Sequence, residues 1–349
     1  MGKLKVGVIG AGAIAKNHVQ GYRNAGAEVV AICDVNPAAL EKAKAEMNIP
    51  SGVTDIKAIL GNKEIEAVSV CTPNFLHCEM TVAALKAGKH VLCEKPMALD
   101  PKQAEQMVKA AKKAGRVLML GHNNRFTPEV QQVNHMREQG VLGEVYHAKA
   151  SIIRRRGIPG LGGWFTTRAK SGGGPLIDIG IHAIDRAWYM MGKPKPVAVS
   201  GICYNKFGCD IEKYVCVGMW AGPRKLDGIM DVEDFAAALV RFENGATMQV
   251  EVSWAVNRED EPMRSVIMGD KAGVILVNDD LTLYSEQGNM LVTQKVAFDK
   301  TVYKDRHQHF VDCLTKKVPC TCPGEDGLAM QKVLYGIQTS SDQGKEVRI

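Results

Sequence analysis

Asp178, His182 and Asp185 recur at i, i+4 and i+7 in the run Gly172-Gly173-Gly174-Pro175-Leu176-Ile177-Asp178-Ile179-Gly180-Ile181-His182-Ala183-Ile184-Asp185. A helix places such positions on one face, and Pro175 suits its first position. Ile177, Ile179, Ile181, Ile184 and Trp188 surround the stripe. Burying an acid and an imidazole unpaired among them would be costly, so the stripe must face water, a partner or a cleft. Two readings stand: an internal Asp–His hydrogen bond that supports the fold, or an acid–base unit whose histidine is oriented by a carboxylate. Lys95 is a second reactive candidate. It follows the apolar run His90-Val91-Leu92-Cys93, and Pro96 restricts the backbone beside it. The plain alternative is a solvated surface lysine.

Such side chains need a scaffold, and the first 121 residues repeat one unit: a short β-branched run, then ten to fifteen residues with helical spacing. Lys5 to Ile9, Val29 to Cys33, Gly52 to Thr54, Ala67 to Cys71, His90 to Cys93 and Val117 to Leu120 read as buried parallel strands. The rhythm predicts an α/β, doubly wound parallel sheet. Gly10-Ala11-Gly12-Ala13-Ile14-Ala15 leaves the first strand and opens a helix. There Gly10 allows a tight turn, Gly12 lets backbone approach a pyrophosphate, and Ala15 permits close helix packing. Asp34 closes the second strand, placed to accept from a ribose 2′-hydroxyl and to repel a 2′-phosphate, which predicts NAD rather than NADP. Cys71-Thr72-Pro73-Asn74-Phe75-Leu76-His77 and Glu94-Lys95-Pro96 follow the carboxyl ends of two further strands, where ligands of such sheets bind. Thr72, Pro73, Asn74, His77, Glu94 and Lys95 are therefore cofactor candidates, although Thr72-Pro73 is also an ordinary turn and His77 an ordinary surface histidine.

After Thr127 the pattern changes to a helix ending near Glu138, a strand from Glu144 to Ile153, a glycine-rich basic loop and a helix from Pro175 to Met191. Ala246, Met248, Val250, Val252 and Trp254 then alternate with Thr247, Gln249, Glu251 and Ser253, the period of a strand. Asn244-Gly245, Gly269 to Gly273 and Gln287-Gly288-Asn289 mark turns. A large open, mostly antiparallel sheet is expected, helices covering one face and a second copy of the chain the other. The expected domains are residues 1–122 and 123–349. The Tyr204 to Met230 segment either caps a site or covers core.

At 349 residues, 46% hydrophobic and 23% charged, the chain has the composition of a two-domain globular protein, with no apolar run long enough to span a membrane. The net charge of +6 equals the six basic residues Lys149, Arg154, Arg155, Arg156, Arg168 and Lys170, a stretch without an acid. No helix-turn-helix or RNA-binding signature accompanies them, so a nucleic-acid partner is not expected. They approach the Gly172 helix instead, which makes Arg154, Arg156 and Trp164 candidate substrate contacts. Ten cysteines without a leader segment point to a reducing cytoplasm. Cys313, Cys320 and Cys322, with His307 and His309 upstream, lack the C-x-x-C spacing of zinc sites, and no metal is expected.

Gly10-Ala11-Gly12, Thr72-Pro73-Asn74, Glu94-Lys95-Pro96, Gly121 to Phe126 with Arg125, and Gly172 to Asp185 occur here in one order. In these motifs the chain resembles the glucose-fructose oxidoreductase, inositol dehydrogenase and MocA family across essentially its whole length. The resemblance implies an N-terminal Rossmann domain and a C-terminal α/β domain with a large open sheet used for homodimer or homotetramer contacts. It implies Lys95, Asp178 and His182 as the catalytic group, Arg125 near the substrate, and a cyclic polyol or sugar against the nicotinamide of NAD. Three activities fit: oxidation of a ring hydroxyl, with His182 or Lys95 taking the proton; redox-neutral epimerisation or cleavage of a glycoside with retained NAD; and nucleotide sensing without catalysis.

Overall fold

The computed structural model describes residues 2–349. They form two compact units, one running to Asn123 and regaining Lys304–Leu328, the other made of Asn124–Tyr303 and Ala329–Ile349. A second domain running unbroken from 123 to 349 is therefore not how the contacts divide. The returning segment joins the first unit through buried polar contacts and through Gly324 and Gly327, where an added Cβ would lie 2.9 Å from Leu118 and 2.8 Å from Leu120.

In the first unit, β1 (Lys5–Ile9), β2 (Glu28–Cys33), β3 (Ser51–Val53), β4 (Ala67–Val70), β5 (His90–Cys93) and β6 (Leu118–Leu120) form a parallel sheet of order β3-β2-β1-β4-β5-β6, the doubly wound Rossmann order. Strand ends fall within one residue of those expected. Val6, Val8, Val68, Val70, Val91 and Leu92 are fully buried, as strands covered on both faces require. The connecting helices are α1 (Ala15–Asn24), α2 (Pro37–Glu46), α3 (Ile56–Gly61), α4 (His77–Lys86) and α5 (Pro101–Ala114). Asn36, Asp55 and Asp100 cap α2, α3 and α5 through their side chains.

The second unit begins with α6 (Pro128–Glu138), β7 (Val145–Ile153) and the short α7 (Arg168–Ser171). The helix expected from Pro175 is not α-helical throughout. Leu176–Gly180 is a π turn, and α8 (Ile181–Met190) follows it. An added Cβ on Gly180 would sit 3.1 Å from the Pro175 carbonyl oxygen and 3.4 Å from Val252, so glycine lets the widened turn lie close to the sheet. Strands β8 (Pro196–Tyr204), β9 (Phe235–Phe242), β10 (Thr247–Ser253), β11 (Glu261–Gly269), β12 (Ala272–Val277), β13 (Asp280–Gln287) and β14 (Met290–Lys295) come next. Helices α9 (Arg306–Thr315) and α10 (Gly324–Gln343) and the two-residue β15 (Val347–Arg348) end the chain.

The nine-stranded sheet runs β14-β13-β12-β11-β7-β10-β9-β8-β15, antiparallel except where β10 pairs parallel with β7. Met248, Val250, Val252 and Trp254 are buried, as period two demands; Met248, Val250 and Val252 share one core with Val130 and Val133 of α6, Ile184 of α8 and Val333 and Ile337 of α10. The opposite face brings Ser200, Leu239, Gln249, Lys149 and Val266 into one cross-strand row, and Ile202 beside it is 42% exposed. No described helix is long and apolar enough to cross a membrane.

Candidate active site

The glycine turn is built as its sequence demands. Gly10 has φ +103°, and a Cβ there would lie 2.6 Å from the Cys71 carbonyl oxygen, so only glycine fits. Gly12 has nothing within 4 Å of that position, leaving room for a ligand to approach its backbone. Gly12 and Ala13 are exposed, Ile14 is half-buried, and α1 starts without a side-chain cap, the Ala15 and Asn17 N–H groups donating to the Gly12 and Ile14 carbonyls at 3.0 Å. Asp34 stands at the end of β2, where Oδ2 accepts from the Ala11 N–H at 2.8 Å and Oδ1 from the Asn36 N–H at 2.9 Å. The carboxylate anchors the glycine turn and keeps lone pairs for a ribose. Thr72 Oγ1 is buried without a partner among the described residues, a group a bound molecule can satisfy. These residues fit an NAD. Pro73 is half-buried and Asn74 buried at the start of the turn into α4.

His77 and Glu94 stand differently from the expectation. The His77 ring is buried, with Nδ1 2.7 Å from the Pro96 carbonyl oxygen and Nε2 2.8 Å from that of Thr72. It braces the loop after β4 against the loop after β5, and both ring nitrogens are engaged. Glu94 is buried too. Its Oε1 accepts from Arg306 Nη1 at 2.7 Å and lies 2.8 Å from His18 Nε2, while Oε2 takes the Lys95 N–H at 3.2 Å. Arg306 holds its carboxyl well below the usual range against the opposing effect of burial. Glu94 therefore fixes the backbone of Lys95, a half-buried residue whose bond to Pro96 is cis.

Behind Glu94, a polar chain passes through His18, Ser69 and Tyr22: His18 Nδ1 lies 2.9 Å from Ser69 Oγ, which lies 2.7 Å from Tyr22 Oη. Burial pushes His18 down to about 4, so the ring is neutral, and the chain is satisfied when Tyr22 donates to Ser69, Ser69 to Nδ1, and Nε2–H to Glu94. His18, Ser69, Tyr22 and Arg306 went unremarked in the sequence, since nothing in their spacing marks them.

In the second unit, every residue from Gly173 to Trp188 is buried except Asp178 and His182, which are both half-buried. The fold thus opens one acid and one imidazole on an otherwise sealed helix. Trp254 Nε1 donates to Asp178 Oδ2 at 3.2 Å. Glu233, buried, accepts the Gly174 N–H at 2.8 Å and the Leu176 N–H at 3.2 Å, capping the turn that carries Asp178. Burial pushes Glu233 up. Neither supporting role was read from the sequence, although the alternation that buried Trp254 pointed to its strand.

The third member of the stripe separates from the pair. Asp185 is buried and takes two bonds from Arg125, from Nε at 2.9 Å and Nη2 at 2.6 Å. Arg125 is fully buried, its guanidinium also over Trp188 and Tyr189. Arg125 is engaged in a buried ion pair, its planar fork matched to a carboxylate. Arg156 is similarly spent: Nη1 donates to the Arg155 and Val256 carbonyls, Nη2 to Asn257, and the group lies 4.6 Å from the Phe207 ring. Arg154 is half-buried. Trp164 stacks on Phe165 with centroids 3.8 Å apart, and Trp220 packs edge-on against Phe165. The Tyr204 to Met230 segment covers a small core in which Tyr214 joins Ile179 and Trp254, beside Asp178.

An open glycine turn with an acid closing β2, in one chain with an acid–imidazole pair on a sheet-backed helix, defines an NAD-binding oxidoreductase. Residues 4–122 match the oxidoreductase family with the NAD-binding Rossmann fold, and residues 130–275 match the GFO/IDH/MocA C-terminal domain. The chain belongs to the Gfo/Idh/MocA family and is an NAD-dependent dehydrogenase. It is 35% identical to D-glucoside 3-dehydrogenase of Escherichia coli K12, over 99% of this chain and 97% of that protein. It is 26% identical to myo-inositol 2-dehydrogenase of Thermotoga maritima, over 99% and 98%. Among solved structures, an oxidoreductase domain protein from Kribbella flavida matches with a TM-score of 0.88 at 26% identity, over the whole of both chains.

Proposed function

We propose that the protein oxidises a secondary ring hydroxyl of a cyclic polyol or sugar, an inositol or a glucoside that becomes a keto-glycoside. The observation that carries this is that Asp178 and His182 are the two residues from Gly173 to Trp188 that the fold leaves half-buried. Bound NAD supplies the acceptor for the hydride. Gly10, Gly12, Ala13, Ile14, Asp34, Thr72, Pro73 and Asn74 hold the dinucleotide, while His77 and Glu94 position the loops. His182 takes the hydroxyl proton, Asp178 orients the substrate or the imidazole, and the Lys95 ammonium stabilises the developing alkoxide. Arg154 and Trp164 remain the substrate contacts of this reading. Identity to a glucoside dehydrogenase over nearly the full length supports a sugar substrate.

The first unit serves NAD and the second serves substrate and assembly, with the open sheet face meeting a second copy in a homodimer or homotetramer. Ten free thiols suit a reducing cytoplasm. The test is a panel of inositols and glycosides read at the absorbance of reduced nicotinamide. Reduction with at least one is expected; none, from protein that binds NAD tightly, would sink the proposal. Lys95→Met and His182→Asn should each lower kcat by about 10²- to 10⁴-fold with NADH affinity nearly unchanged. Near-full activity in both variants would remove these roles.

A further inference from the structure

The fold assembles a thiol–imidazole cluster that serves neither NAD nor the acid–base pair. His309 and Cys313 stand at i and i+4 on α9, so the helix presents both on one face. The loop after α9 brings Cys320 to them, and one ligand atom from each of the three residues lies within 4.8 Å of the others. Cys313 Sγ is 3.4 Å from His309 Nε2. Two thiolates and an imidazole on one zinc ion, with bonds of about 2.3 Å and 2.0 Å, stand about 3.5–3.8 Å apart. The cluster is thus close to the size of a tetrahedral zinc site.

His309 Nε2 accepts the Thr321 N–H at 2.9 Å, a bond that must give way when this nitrogen binds a metal. Cys313 is buried, whereas His309 and Cys320 are half-buried, which leaves a way in for an ion.

We propose that His309, Cys313 and Cys320 bind one zinc ion, with solvent at the fourth corner. Two thiolates balance its charge, and soft sulfur with imidazole selects zinc over magnesium or calcium. The spacing H-x₃-C-x₆-C is not that of common zinc motifs, because half of the site comes from a helical turn and half from a loop. The ion would tie the end of α9 to the loop that leads into α10.

The reduced full-length protein should hold about one zinc per chain by elemental analysis, release about two protons on binding it, and show higher thermal stability with zinc than after chelation. Cobalt in place of zinc should give a thiolate charge-transfer band and intense ligand-field bands. Cys313→Ser, Cys320→Ser and His309→Ala should lose the cobalt spectrum while still binding NADH; the exposed-site variant Cys209→Ser should keep both. Should those variants fail to bind NADH, the wild-type protein decides through protection of Cys320 from alkylation by added zinc. The proposal is overturned if reduced wild-type protein takes up neither metal, if the ligand variants keep the cobalt spectrum, or if zinc leaves Cys320 alkylation unchanged.

Discussion

Asp34 holds the Ala11 N–H and, in the function proposed above, also meets the ribose. Asp34→Ser should therefore weaken NADH binding by about tenfold or more, the scale of a lost charge-assisted hydrogen bond. It should also raise the NADPH-to-NADH affinity ratio, because the charge that repels a 2′-phosphate is gone. Titration with both nucleotides checks this, and an unchanged ratio would count against Asp34 as the selector. At this scale the sequence showed where polar residues had to be explained but not whether the explanation was a ligand or a neighbour. Asp178 and Asp185 read alike, and only the fold reveals that Arg125 comes from 60 residues away to claim the second of them. Arg125, Arg156, His77 and Glu94 likewise have partners inside the protein.

At the scale of elements, the polar chain joining α1, β4, the end of β5 and α9 makes stability depend on pH. His18 is held at about 4 when folded and returns to near 6.5 when unfolded. The unfolded chain thus binds the extra proton between these values, so stability is complete at neutral pH and falls as pH drops from about 6.5 to 4. The loss from His18 amounts to about 3 kcal/mol. Burial pushes His77, His90 and His307 the same way, so His18→Gln should flatten the profile only in part. Urea midpoints across that range would detect it; an unchanged slope in the variant would contradict a neutral His18. Elements themselves were well foreshadowed, since buried strands and the Ala246 to Trp254 alternation write their periods directly into the chain. The π turn was not. Its signal is one glycine, and the reason for it, close approach to Val252, lies on a strand far along the sequence.

For the whole molecule, the open sheet face offers the plainest test of assembly. In the proposed assembly, Ile202→Asp with Leu239→Asp should lower the mass measured by light scattering at micromolar concentration, without loss of NADH binding; an unchanged mass would count against an interface on this face. A chain ended after Tyr303 removes the returning segment together with most of α10 and β15. It leaves Glu94 buried without Arg306, a loss of about 3–5 kcal/mol, and removes the Cys322 carbonyl that accepts the Leu120 N–H of β6. NADH binding should be lost. Wild-type affinity in that fragment would make the segment dispensable. Two-unit organisation was visible in the change of rhythm near residue 122, but the return was not, because ion pairs between distant segments leave no periodicity. That return also orders synthesis. Residues that complete the nucleotide-binding unit leave the ribosome after eight of the nine strands of the large sheet, so the first part of the chain to be made is among the last to finish folding, and a nascent chain halted before Arg306 carries an open Rossmann sheet with an unneutralised acid in its interior.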